Sequence, residues 1–144
     1  MVDARAKGAR GEYAVRDMMR EYTGMPWERT PASGALEYQK GDLYIPNEQP
    51  RYIIEVKNYK DSPLNDKVLT ATTNNLNLWW PKLITQAHNN KCKPILFFKY
   101  DRSKWFVTVE SAPRHIKNYL HFGGKEWYTM LAEDWLEKEW EYYG

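Results

Sequence analysis

Asp42, Glu55 and Lys57 stand where apolar side chains would be expected. Asp42 heads the run DLYIP, and Glu55 and Lys57 interrupt RYIIEVKNY, a stretch otherwise rich in β-branched and aromatic residues. Side chains alternate along a strand, so Ile53, Glu55 and Lys57 share one face and Ile54 and Val56 the other. NEQP between the two runs is a turn by composition, which makes an antiparallel hairpin and carries Asp42 towards Glu55. Upstream, Val15, Met18, Met19 and Tyr22 repeat at helical spacing, and the same stripe extended back reaches Glu12. Two carboxylates about 4 Å apart repel by roughly 4 kcal/mol at an effective dielectric near 20. Such a cluster takes up a proton or binds a cation, and oxygen-only ligands suit Mg²⁺ or Mn²⁺. Water bound to such a metal is far easier to deprotonate than bulk water. The Lys57 ammonium could orient that water or neutralise phosphate charge. Together these groups are equipment for hydrolysing a phosphodiester. The plainer alternative for Glu55 and Lys57 is an ion pair on an exposed strand face.

The elements that must position these groups can be read along the chain. Residues 4–24 form a helix with Gly24 as its stop. WERTP is a short strand, ASGALEYQK a loop, and DLYIP and RYIIEVKNY the hairpin. Residues 61–92 are partly loop, with a helix from about Pro81, a residue tolerated in a first turn. KPILFFKY and WFVTVE are two strands joined by DRSK. SAPRHIKNYL suggests a short helix capped by Ser111, and TMLAEDWLEKEWEYY a final helix. The order is a mixed sheet with helices packed against it.

The constellation resembles the PD-(D/E)XK nuclease superfamily and, within it, the archaeal-type Holliday junction resolvases. KGARGE (7–12) fits that family's lysine-glycine-x-x-x-glutamate, with Glu12 at the catalytic glutamate. RTPASG (29–34) fits its arginine-led loop, with Ser33 at a serine implicated in activity. Asp42 fits the motif aspartate, EVK (55–57) fits the glutamate-x-lysine pair, and residues 93–110 are similar to the last two strands. Gly41 stands where the superfamily name has proline; it is not a ligand, so the departure leaves the chemistry intact. Residues 61–91 and the tail after 111 match no motif of the family.

The resemblance implies an α/β, restriction-endonuclease-like fold, a mixed central sheet flanked by helices. Residues 1–144 would be a single nuclease domain, with 111–144 as a helical extension. Asp42, Glu55 and the Val56 carbonyl would hold Mg²⁺, with Mn²⁺ as a substitute. Glu12 would complete the site directly or through water, and Lys57 would orient the nucleophile. Implied partners are a four-way junction or other branched DNA and a second copy of the chain, since two opposed nicks need two sites at a fixed separation. Lys7, Arg10, Arg29, Lys40 and Lys60 are candidates for phosphate contacts. The resemblance also admits a phage-encoded member acting in the host cytoplasm. The rivals are another nuclease of the superfamily acting on duplex or flapped DNA, and a non-catalytic DNA-binding protein.

Composition narrows the classes further. No apolar run approaches the roughly 18 residues needed to span a bilayer. The charged N-terminus does not read as a secretory signal. Cys92 has no second cysteine to pair with, which suits a reducing cytoplasm. Net charge is only +2, but residues 126–144 carry six carboxylates against Lys138, leaving the positive excess on the rest of the chain. A basic body points to a polyanion. Seven tryptophans are present, and Trp79, Trp80, Trp135 and Trp140 are candidates for an apolar dimer patch. Gln86 follows the metal motif on a helix, where some relatives carry a site glutamine.

Overall fold

A computed structural model describes residues 4–31, 36, 39–70, 74–122 and 126–143. Its centre is a pair of eight-residue strands, β3 (Tyr52–Tyr59) and β4 (Lys93–Tyr100), whose apolar residues are largely buried. They run parallel, with Glu55 opposite Leu96 and Lys57 opposite Phe98. Parallel neighbours need a long crossover, and α2 (Lys67–Thr70) and α3 (Asn75–Asn89) lie within it. On one side of the central pair, β2 (Leu43–Tyr44) joins β3 antiparallel, and β1 (Glu28–Arg29) joins β2. On the other side come β5 (Phe106–Val109), β7 (Tyr128–Leu131) and β6 (Leu120–His121), each antiparallel to its neighbour. The remaining helices are α1 (Ala4–Thr23), α4 (Ala132–Lys138) and α5 (Trp140–Tyr143). The expected mixed sheet flanked by helices is therefore what the chain forms.

Strand alternation sorts the core into two layers. Ile54, Val56, Ile95, Phe97, Val107 and Val109 face Val15 and Met19 of α1 and Trp135 and Leu136 of α4. Ile53, Leu96 and Phe98 face Leu76, Trp80, Leu83 and Ala87 of α3. Val15 and Met19 are the i, i+4 pair of the helical stripe, while Met18 and Tyr22 pack partly buried beside it. Gly11 brings α1 close to the sheet. A Cβ there would lie 2.8 Å from the Asn58 Cβ and 3.3 Å from the Trp105 ring. Asn58 Nδ2 donates to the Lys7 carbonyl at 3.1 Å, fixing the first turns of α1 against β3.

The structure corrects three expectations. The helix of the middle segment starts at Asn75 rather than Pro81, because Asn74 caps it by accepting from the Leu76 N–H at 2.9 Å. Pro81 therefore sits inside the helix. Residues 111–119 are not helical. The Arg114 and His115 N–H groups donate to the two carboxylate oxygens of buried Glu139, at 2.6 and 2.7 Å, and so are not available for helical bonds. Residues 128–131 are a strand rather than the start of the last helix. Thr129 pairs across the sheet with Thr108, and the two buried hydroxyls are 2.8 Å apart. The tail after 111 thus adds two strands to the sheet as well as helices.

Two of the tryptophans considered for a dimer patch are core residues: Trp80 and Trp135 are each 2% exposed. Trp140 packs among Trp27, Tyr52 and Trp135. Cys92 is buried, with its thiol against the Pro50 and Asn90 carbonyls, and burial pushes its pKa up, as befits an inert packing residue. Among the described residues, no helix is long and apolar enough to cross a membrane.

Candidate active site

The geometry of the site begins at Gly41. Its φ is +71°, and a Cβ there would lie 2.6 Å from the Ile54 carbonyl oxygen and 2.9 Å from the Ile54 nitrogen. Proline, fixed near −65°, cannot adopt this conformation, which explains why the chain departs from the superfamily name here. The tight approach lets the Asp42 N–H donate to the Ile54 carbonyl at 2.7 Å. The Asp42 side chain turns along β3, and its Oδ2 accepts from the Val56 N–H at 2.7 Å. Gly41→Ala should therefore cost at least about 1–3 kcal/mol from backbone strain alone. Chemical denaturation would check this; a loss no larger than that of Gly8→Ala, at a helical position with open space, would contradict it.

Burial, and after it the negative charge of Glu55, push the Asp42 carboxyl up to about 7. The Val56 N–H and the Lys57 ammonium oppose that rise without cancelling it. Two carboxylates are thus held together at a cost that a proton or a cation would relieve. The donor set is all oxygen and would suit a hard divalent ion, for which Asp42 and Glu55 could supply side-chain oxygens, with Val56 between Glu55 and Lys57 on the strand.

Glu55 and Lys57 open into a cleft of about 530 Å³ between β3 and α3. Trp79, Lys82 and Gln86 line it from the helix. The Lys57 Nζ lies 5.9 Å from the centroid of the Trp79 ring. Gln86 therefore lines the same cleft as the glutamate–lysine pair. Lys82 is a residue that the sequence motifs do not single out. Its signal is the i, i+4 spacing to Gln86 and the i, i+3 spacing to Trp79, visible once the helix is started at Asn75.

The other sequence candidates are placed differently. Glu12 accepts from the Arg29 Nε at 2.6 Å, and the Arg29 guanidinium also lies 5.2 Å from the Tyr13 ring. Among the described residues, no three acidic, histidine or cysteine side chains gather closely enough to hold a metal, so Glu12 does not join Asp42 and Glu55. Lys7 pairs with Asp101, whose carboxyl it pulls below the usual range. Lys60 is exposed at the end of β3, its carbonyl accepting from the Asp101 N–H at 3.2 Å, and Arg10 is exposed on α1. Lys40 lines a separate pocket beside Trp27 and Tyr52. Ser33 lies outside the described residues. The acidic side chains Glu133 and Asp134 act on Tyr22 at the far end of α1. At 1.5 Å per residue, that is roughly 20 Å along the helix from Lys7.

Residues 3–138 match the family described as "Phage putative PDDEXK endonuclease". The chain belongs to the phage PDDEXK endonuclease family. It is also 38% identical over 125 residues to Protein D14 of Escherichia phage T5, a match covering 83% of this chain and 78% of that protein. Among solved structures, it is similar to Hjc of Archaeoglobus fulgidus, described as a Holliday junction resolvase from an archaeal hyperthermophile. That match has a TM-score of 0.45 and 19% identity, and covers 87% of this chain and 88% of the other.

Proposed function

We propose that the chain is a Mg²⁺-dependent endonuclease that cuts four-way DNA junctions as a homodimer in the cytoplasm of a host cell. The observation that carries the reading is the Asp42–Glu55 pair, pressed together at the hairpin with Lys57 next on the same strand face. Membership of the phage PDDEXK endonuclease family supports the nuclease reading. The KGARGE and RTPASG motifs, in the order found in junction resolvases, favour a branched substrate over plain duplex.

Asp42, Glu55 and the Val56 carbonyl would hold the divalent ion, and Mn²⁺ would fit the same donors. The chemistry a divalent ion would supply there is an easier deprotonation of the attacking water and an offset to the charge on the phosphate. Lys57 orients the water and donates to the phosphate oxygens through an ammonium held beside Trp79. Glu12, carried on α1 and paired to Arg29, acts on the site through water, and Ser33 is the serine that the RTPASG motif assigns to activity. Lys82 and Gln86 give the cleft wall a cation and an amide facing the same strand.

Incubating the protein with a labelled four-way junction and a matched linear duplex, with and without Mg²⁺, tests the reading. Cleavage is expected for the junction and only with metal. Equal cutting of the duplex would make it a general or flap nuclease of the family, and metal-independent cutting would remove the Asp42–Glu55 assignment.

Phosphate contacts by Lys7, Arg10, Arg29, Lys40 and Lys60 should make binding fall steeply with salt. The expected log–log slope is near −0.9 per contact on duplex arms. Lys60→Ala or Arg10→Ala, both at exposed positions, should flatten the slope by about one unit without selecting among sequences. A wild-type affinity that ignores salt would contradict the polyanion assignment.

A further inference from the structure

The cleft between β3 and α3 carries more than a glutamate and a lysine need. Its rim includes Leu78, which is 51% exposed, and it is walled by Trp79. Trp79 in turn meets Tyr59, 41% exposed, at a ring separation of 5.0 Å. Scattered exposed apolar residues need no explanation. Here Leu78 and Trp79 line a cleft that also presents Lys57, Lys82 and Gln86, and Tyr59 packs edge-on against Trp79 beside it. The volume, about 530 Å³, falls within the roughly 300–1,000 Å³ of cavities that enclose small organic ligands.

An occupant of this cleft must offer a flat apolar face to Trp79, negative charge to two ammonium groups, and hydrogen-bonding edges to a carboxamide. A single nucleotide meets all three demands. A base inside a duplex does not, because both of its faces are already stacked on neighbours and its edge is paired. Lys57 lies at the outer limit of a cation–π contact with Trp79, about 6 Å, so it is loosely held and can be shared with a phosphate. We propose that this cleft binds one unpaired nucleotide of branched DNA, stacked against Trp79 and Leu78, with its phosphate drawn to Lys57 and Lys82. The inference rests on the branched-DNA reading above and gives it a physical cause. The cleft selects DNA in which a base is free to leave the stack next to the phosphate to be cut.

The probe is a four-way junction carrying 2-aminopurine at the branch point, mixed with the protein under a chelator that prevents cutting. The fluorescence of the analogue is expected to fall on binding wild type and not on binding Trp79→Ala. Junction affinity should weaken about tenfold or more in that variant, the scale of one lost base–aromatic stack. Linear-duplex affinity should stay within about twofold. Trp79 also touches Phe98 of the core, so Leu78→Ser, at a half-exposed position, serves as the second variant and should weaken junction binding in the same direction. Unchanged fluorescence and affinity in both variants, with wild type still cutting the junction in Mg²⁺, would overturn this inference while leaving the nuclease reading intact. A fall in oligomer size in the variants, with quenching retained, would make the cleft a contact between copies and overturn it as well. If wild type cuts no DNA at all, both readings fall together.

Discussion

Asp42→Asn should abolish Mg²⁺-dependent cleavage while leaving junction binding equal or stronger. The substitution removes a metal ligand and, with it, a negative charge close to where the phosphate must lie. Metal stabilisation of a phosphoryl transition state is worth several kcal/mol, so the expected loss is about 10³-fold or more. The same variant separates this role from a structural one through pH. In the metal-free wild type, Asp42 titrates near 7 rather than at its usual 3.8. Between those values the native state binds more protons than the unfolded chain. The Asp42 contribution to stability is therefore fully present below about pH 4 and is lost progressively as pH rises through about 7. Every pH unit separating the folded and unfolded titrations is worth about 1.4 kcal/mol. Asn cannot titrate, so denaturation of the variant should lose that slope and the variant should gain stability at pH 8. Wild-type cleavage rates in the variant, or a stability profile unchanged in shape, would contradict the assignment.

The second large effect concerns symmetry. A resolvase must make two nicks within the lifetime of one complex, and this chain carries a single Asp42–Glu55–Lys57 set. Two chains are then required on one junction. Wild type mixed with an excess of Glu55→Gln chains, under conditions where subunits exchange, should yield heterodimers with one competent site. Such particles should nick a cruciform plasmid once, so nicked circles accumulate in place of linear product. A monomer in sedimentation that still linearises the plasmid in one binding event would defeat the resolvase mechanism.

Much of the site is legible in the sequence because it lies on the most strongly patterned part of the chain. The alternation of RYIIEVKNY fixes the face shared by Glu55 and Lys57, and NEQP fixes the hairpin that returns Asp42 to it. The role of Gly41 is not legible there. Its positive φ answers to the backbone of Ile54, a contact that exists only once the hairpin is folded. Glu12 shows the limit of periodicity. The helical stripe correctly places it beside the inward face, but Arg29, on a two-residue strand, is the partner it meets. The tail misleads for a related reason. Residues 129–131 can be read as helical in isolation, and only the partner strand with Thr108 selects the extended form. Residues 111–119 are held by Glu139, which is 25 positions downstream of Arg114, and no local propensity reports such a bond. In the middle segment, Pro81 is the stronger local signal for a helix start, yet Asn74 is the cap. Starting at Pro81 hides the face that carries Trp79, Lys82 and Gln86 to the cleft.

The most direct measurement is the titration of the Asp42 carboxyl, followed by carbon NMR with and without Mg²⁺. In the metal-free protein, the carboxyl should titrate near 7, held up by burial and by Glu55. Saturating Mg²⁺ should drive it well below that value, because a bound cation favours the ionised form, and Glu55→Gln should lower it in the absence of metal. An Asp42 that titrates in the ordinary carboxylate range and does not respond to Mg²⁺ would show that the pair is not a metal site.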